Sequence, residues 1–248
     1  MSSFIKNPNL PEGKVSTVIC GTDDKSILSF LKKQNISVLK NAKNPCIDPC
    51  VSTHADMAAL YLGDGHILLD KKQIQLKSEL SELGYRVSET AEEIKESYPG
   101  DIKLNFTLVA DFIMGRISDA DVKVVELTEP KKKINVRQGY CKCSTLVVGE
   151  NSIITDDASI HRKVLENGFD SLLISKGDIC LDGHGYGFIG GASGKIDKDT
   201  VVFFGDVTKH SDFQSIRAFL TKYGCSYVCT DDSQLRDIGG IVALKEIL

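Results

Sequence analysis

The chain has 248 residues, of which 42% are apolar and 26% charged, and a formal net charge of −4. That length can bury a core in one large or two small domains, and the excess of acid argues against a nucleic-acid or anionic-membrane face. No apolar run is long enough to cross a bilayer, and the opening MSSFIKNPNLPEGK lacks the apolar stretch of a secretory signal. A cytoplasmic protein with its eight cysteines reduced is therefore expected.

Residues 1–13 read as a short flexible arm. VSTVICG (15–21) then reads as a strand, Asp24 to Lys33 as a helix, and ISVLK (36–40) as a second strand. After a Cys- and Pro-containing stretch, HADMAALYLGDGHILLDKKQIQLKSELSELGYRVSE (54–89) gives a fuller order. Two strands meet at Gly63-Asp64-Gly65, and a helix through Leu76, Leu80 and Leu83 ends at Gly84 before another strand.

LNFTLVAD, FIMGRI, a stretch from Asp119 to Glu129 and INV (within 103–136) repeat that order weakly. CKCSTLVVGENSIITDDASIHRKVLENGFDSLLIS (141–175) repeats it most clearly. Its strands run from Ser144 to Val148 and from Ser152 to Thr155, and Asp157 caps a helix that Gly168 ends. Residues 187–229 supply another copy, with strands FIGGASGKI and TVVFFGD, a helix from about Ser211-Asp212 to Gly224, and CSYVCT. The N-terminal copy lacks one strand, which IVALKEIL (241–248) can supply. The fold class that follows is α/β, a single domain of five ββαβ units in a pseudo-fivefold ring closed by the C-terminal strand.

GHGYGFIGGASG (183–194) contains G-x-G-x-x-G, and Lys195 follows Gly194. Phosphate binding needs a helix N-terminus at such glycines, and no helical face is predicted until about residue 211. The nucleotide reading fails. Glycines in a strand instead mark a close approach of backbone or ligand. Cys46-x3-Cys50-x3-His54-x-Asp56 has a metal flavour, but Pro45 and Pro49 break the helix that would align its donors, so small packed thiols are the plainer reading. No resident metal or cofactor is expected.

The repeat order, with the phrases HADM, QGYCKCST and GFIGGASG, resembles the penteins, the guanidino-modifying-enzyme superfamily of α/β propellers, in an uncharacterised branch. That resemblance implies a small-molecule pocket in the central channel and a hydrolase or amidinotransferase acting on guanidino or amidino compounds. In such enzymes a Cys attacks the guanidino carbon, a His moves protons, and carboxylates hold the planar cation. Asp56 resembles the family's substrate-binding Asp, with His54 two residues before it, and Asp182 in LDGHG resembles an acidic residue of the family pattern, beside His184.

The family's nucleophile sits on the closing strand after a glycine pair, yet Gly239-Gly240-Ile241-Val242-Ala243 carries no Cys. Cys141 or Cys143 is the replacement candidate, with His54 as base and Lys142 lowering the thiol pKa. Aligning the repeats puts Tyr140 opposite His54 and Lys142 opposite Asp56, and strand alternation then turns both thiols toward the core. The substrate-side candidates are Asp56, Lys142, Asp182, His184, Gly190 and Gly191. The alternative is a non-catalytic member that binds a metabolite or a protein. Substrate identity and oligomeric state are left open.

Overall fold

The computed structural model describes residues 2–248. Four consecutive segments each build a three-stranded sheet in which an antiparallel pair is followed by a helix and a parallel strand. They are Ala59–Gly63, His66–Leu69 and Arg86–Glu89; Thr107–Val109, Phe112–Gly115 and Lys132–Asn135; Thr145–Gly149, Ser152–Thr155 and Asp170–Leu173; and Ser193–Asp197, Thr200–Phe203 and Ser226–Cys229. The helices between the second and third strands are Ile74–Glu82, Val122–Leu127, Ala158–Glu166 and Phe213–Lys222.

Ile179–Cys180 pairs in parallel with Leu235–Arg236, and a four-stranded sheet joins the two ends of the chain. Val242–Ile247 lies between Ser2–Phe4 and Lys14–Ile19, and Ser37–Leu39 completes the sheet in parallel after helix Lys25–Lys33. Ser2–Phe4 is thus a strand rather than a loose arm. Ile5 behind it is fully buried, and its carbonyl accepts from the Tyr61 hydroxyl at 2.7 Å. The sheets are separate, without one closed hydrogen-bonded barrel among the described residues.

Local chemistry sets these elements. Asp24 caps the Lys25–Lys33 helix, accepting from Ser26 N and Ile27 N, and Asp157 does the same for Ser159 N and Ile160 N. In both helices one face buries apolar residues, Ile27 and Leu31 in the first, Ile160 and Val164 in the second. Gly84, Gly168 and Gly224 follow three of the helices with positive φ, as a left-handed stop requires. The helix Phe213–Lys222 lacks such a side-chain cap. The Asp212 side chain makes no cap bond and accepts instead from Ser175 N at 2.6 Å, while Ser211 binds Asp178.

The strands start later than the sequence suggests. Residues 55–58 form one helical turn before Ala59, and residues 141–144 form a turn before Thr145, closed by Ser144 N donating to Tyr140 O. The stretch at 188–192 is also a turn, with Ala192 N donating to Phe188 O, and the strand begins only at Ser193. After a short 3₁₀ turn at Val207–Lys209 the next α-helix starts at Phe213, so the glycines meet no helix N-terminus. Lys195 is buried and donates to Val148 O at 3.0 Å, which takes it away from any phosphate. Among the described residues no helix is long and apolar enough to cross a membrane.

Candidate functional site

The turns ahead of the first strands carry the site. The residues five positions ahead of Ala59, Thr145, Ser193 and Val242 are His54, Tyr140, Phe188 and Asp237, and all four line one cavity of about 240 Å³. Met57 and Cys143, each two positions ahead of its strand, line it as well. Tyr140 and Phe188 are stacked with ring centroids 6.2 Å apart, and Tyr186 meets Phe188 edge-on at 5.8 Å. Asp48, Leu181 and His184 complete the rim. The result is an apolar, aromatic wall around a small polar floor, the form usual for a small-molecule site.

The floor is Cys143, His54 and Asp237. His54 Nδ1 stands 3.7 Å from Asp237 Oδ1, and both side chains are almost wholly buried. Asp237 is fixed by backbone donors, with Phe188 N on Oδ2 at 2.9 Å and Gly239 N on Oδ1 at 3.0 Å. Asn105, fully buried, organises Cys143: its Oδ1 accepts from Lys142 N and Cys143 N, and its Nδ2 donates to the Cys143 sulfur at 3.0 Å.

Asp56 is buried behind this floor, and neither of its oxygens meets a hydrogen-bond donor among the described residues. Burial lifts its carboxyl to about 6, against the pull of His54 and Lys142. Burial also pushes the Cys143 thiol well above its ordinary value, and the Asp56 and Asp237 carboxylates push it further. Burial and the two nearby acids therefore both favour the thiol form of Cys143.

Several expectations are corrected here. The alternation that turned Cys141 and Cys143 to one face fails because residues 141–144 are a turn, not a strand. Cys143 reaches the pocket, whereas Cys141 packs in a separate apolar cluster with its sulfur 3.7 Å from Thr107 Oγ1. Lys142 faces cavities of only about 10 and 20 Å³ beside the first strands, too small for a ligand. The space among those strands is filled, and the pocket lies at their N-terminal ends.

Gly190 and Gly191 do not line the pocket. A Cβ at Gly191 would fall 1.8 Å from Asp237 Oδ1, and one at Gly190 would fall 2.2 Å from Lys142 O. These glycines let Asp237 and the 142–145 turn approach. Asp182 is exposed and borders a neighbouring cavity of about 450 Å³ that also touches Cys50, Arg236 and Asp237. Cys46 accepts from Lys72 Nζ at 2.7 Å, and it does not cluster with Cys50 and His54.

Asp237 and Asn105 are absent from the sequence-based set. A signal for Asp237 exists in the repeat: Phe188-Ile-Gly-Gly and Asp237-Ile-Gly-Gly share three letters at the same distance from their strands.

Solved structures with a similar arrangement of elements include two amidinotransferases and an agmatine deiminase. An amidinotransferase of the saxitoxin biosynthetic pathway from Microseira wollei superposes with a TM-score of 0.59 at 9% identity, covering 91% of each chain. Inosamine-phosphate amidinotransferase from Streptomyces griseus gives 0.59 at 10%, covering 98% of this chain and 97% of that one. Agmatine deiminase from C. jejuni, with substrate bound, gives 0.58 at 11%, covering 96% and 95%. At such identities the likeness is one of fold, and the fold is that of the pentein superfamily. The chain belongs to a family of unknown function, DUF6873, whose pattern matches residues 18–242. No curated protein matches the sequence.

Proposed function

We propose that the pocket floored by Cys143, His54 and Asp237 binds a cationic guanidino or amidino compound and that Cys143 attacks its central carbon. The observation that carries this reading is the convergence of the Cys143 thiol, the buried His54 imidazole and the buried Asp237 carboxylate on a single aromatic-walled cavity, with Asp56 buried behind them. A planar cation stacks on aromatic faces and donates in pairs to carboxylates, and both features are present. Its charge would offset Asp56 and Asp237, lowering the thiol pKa where those acids now raise it.

The thiolate then bonds to the guanidino carbon, and His54, held toward Asp237, passes a proton to the departing amine. Water, or a second amine, releases the carbon from sulfur and restores the thiol. The first gives a hydrolase and the second an amidinotransferase. The pentein relatives named above act on such groups, which supports the substrate class. We further propose that the five units surround a common axis as one domain, 1–248, in the cytoplasm. Pairing of Val242–Ile247 with Lys14–Ile19 supports ring closure.

A second reading, a non-catalytic binder, is favoured by one specific observation. The stretch Gly239-Gly240-Ile241-Val242-Ala243, which leads into the closing strand, carries no Cys.

Thermal melting against arginine, agmatine, methylated arginines, creatine and citrulline tests the pocket. A ligand at a hundredfold its dissociation constant adds about 2.7 kcal/mol of stability. The shift should appear with a cationic compound and vanish in Asp237→Asn. Turnover lost in Cys143→Ser, with the melting shift retained, would separate catalysis from binding. A shift with none of the compounds would overturn the guanidino assignment.

A further inference from the structure

The rim of the pocket carries a second cluster that the chemistry above does not use. Asp48, Cys50 and His184 bring a carboxylate oxygen, a thiol sulfur and an imidazole nitrogen within 4.8 Å of one another. The residues come from two segments far apart in sequence, the turn at 48–51 and the turn at 181–184. His184 Nε2 already sits 3.1 Å from Asp48 Oδ2.

Each turn is held independently. Asp48 Oδ1 accepts from Cys50 N at 2.8 Å, Val51 N donates to Asp48 O, and His184 N donates to Leu181 O. Gly183 closes the gap between them. It has φ +80, and a Cβ there would lie 2.5 Å from the Cys50 sulfur. The second turn can rest on the thiol only because that residue has no side chain. Asp182 adds negative charge beside Cys50.

We propose that Asp48, Cys50 and His184 bind a zinc ion at the pocket rim. One sulfur, one nitrogen and one oxygen suit a tetrahedral zinc with a fourth position open. A thiolate ligand disfavours magnesium and calcium, which take oxygen donors. Donors sharing one zinc stand roughly 3 to 4 Å apart at ordinary bond lengths, so a small contraction of the cluster suffices. Asp48 and His184 line the pocket, while Cys50 lines the neighbouring cavity. The ion would therefore sit on the ridge between the two cavities and tie the two turns together over the entrance.

The test uses the full chain, stripped with a chelator and titrated with Co(II), then Zn(II). One Co(II) per chain should bind with a thiolate-to-cobalt charge-transfer band, and Zn(II) should displace it. Cys50→Ser should abolish the band, and His184→Ala should weaken binding by roughly a hundredfold. Cys46→Ser and Cys143→Ser should keep it. Melting of the metal-free variants alongside wild type separates loss of the site from loss of the fold. Absence of the band in folded wild-type protein, its persistence in Cys50→Ser, or its loss only in Cys46→Ser or Cys143→Ser would overturn the assignment. The result is independent of whether the pocket takes a guanidino compound, because that reading depends on Asp237 and Cys143.

Discussion

The titration of Asp56 and Asp156 makes stability pH-dependent. Both are buried, and burial raises their carboxyls from 3.8 to about 6 and about 7. A raised folded-state pKa contributes stability below the unfolded value, and that contribution is lost as pH rises through the folded one. From pH 4 to pH 8 each group therefore takes away on the order of 3 to 4 kcal/mol of stability. Asp156→Asn keeps an acceptor for Ile189 N, which now donates to Asp156 Oδ2 at 3.0 Å. Denaturant melts should show this variant gaining stability over wild type at pH 8 and little at pH 4. An equal change at both pH values would mean that Asp156 does not titrate as described.

Cys143 makes a second prediction at the same scale. With its thiol held protonated, it should react slowly with a disulfide reagent at neutral pH, while the exposed Cys180 reacts fast. Peptide mapping after brief labelling decides this. Rapid modification of Cys143 without ligand would contradict the electrostatic picture of the floor.

At the scale of elements, the turns ahead of the strands matter more than the strands. Gly191 lies against Asp237, and Gly239, at φ +75, lies with a would-be Cβ 2.3 Å from the Cβ of His54. Gly191→Ala should displace the carboxylate and destabilise the fold by about 1–3 kcal/mol, with loss of ligand-induced stabilisation. A crystal structure of the variant with Asp237 unmoved would refute the packing argument. Gly185 is the informative control, since a Cβ there meets nothing. Four glycines of GHGYGFIGGASG are thus explained by close approaches of chain to chain, Gly187 and Gly191 to Asp237, Gly190 to Lys142 O and Gly194 to Ile241. The same turns account for the failure of simple alternation. A single helical turn between Tyr140 and Ser144 rotates Cys143 away from the face that Cys141 occupies.

For the whole molecule, the joined ends are the decisive feature. Ile5 is fully buried beside Leu244, and Glu246 accepts from Glu12 N and Gly13 N, so the first residues are part of the core sheet. Ile5→Ala should cost roughly 2–4 kcal/mol, measured as a fall in denaturation midpoint. A change near zero would mean that the N-terminal strand is not anchored in solution.

The strand–strand–helix–strand order was legible in the amino-acid sequence because hydrophobic period, helix caps and terminal glycines are local signals. Asp157 with its helix and Gly168 illustrate all three. His54 and Cys143 could be named as candidates from residue type and repeat position. What local signals could not supply is which candidates meet. Asp237 reaches His54 across 183 positions of chain only because the closing strand brings it there, and Gly191 must lie beneath it to leave room. Cys141 and Cys143, two residues apart, were parted by one turn of backbone that alternation does not foresee. The sequence by itself determined the units and their superfamily fold. Tertiary packing alone decided the pocket floor, because burial and charge proximity are properties of neighbours in space rather than along the chain.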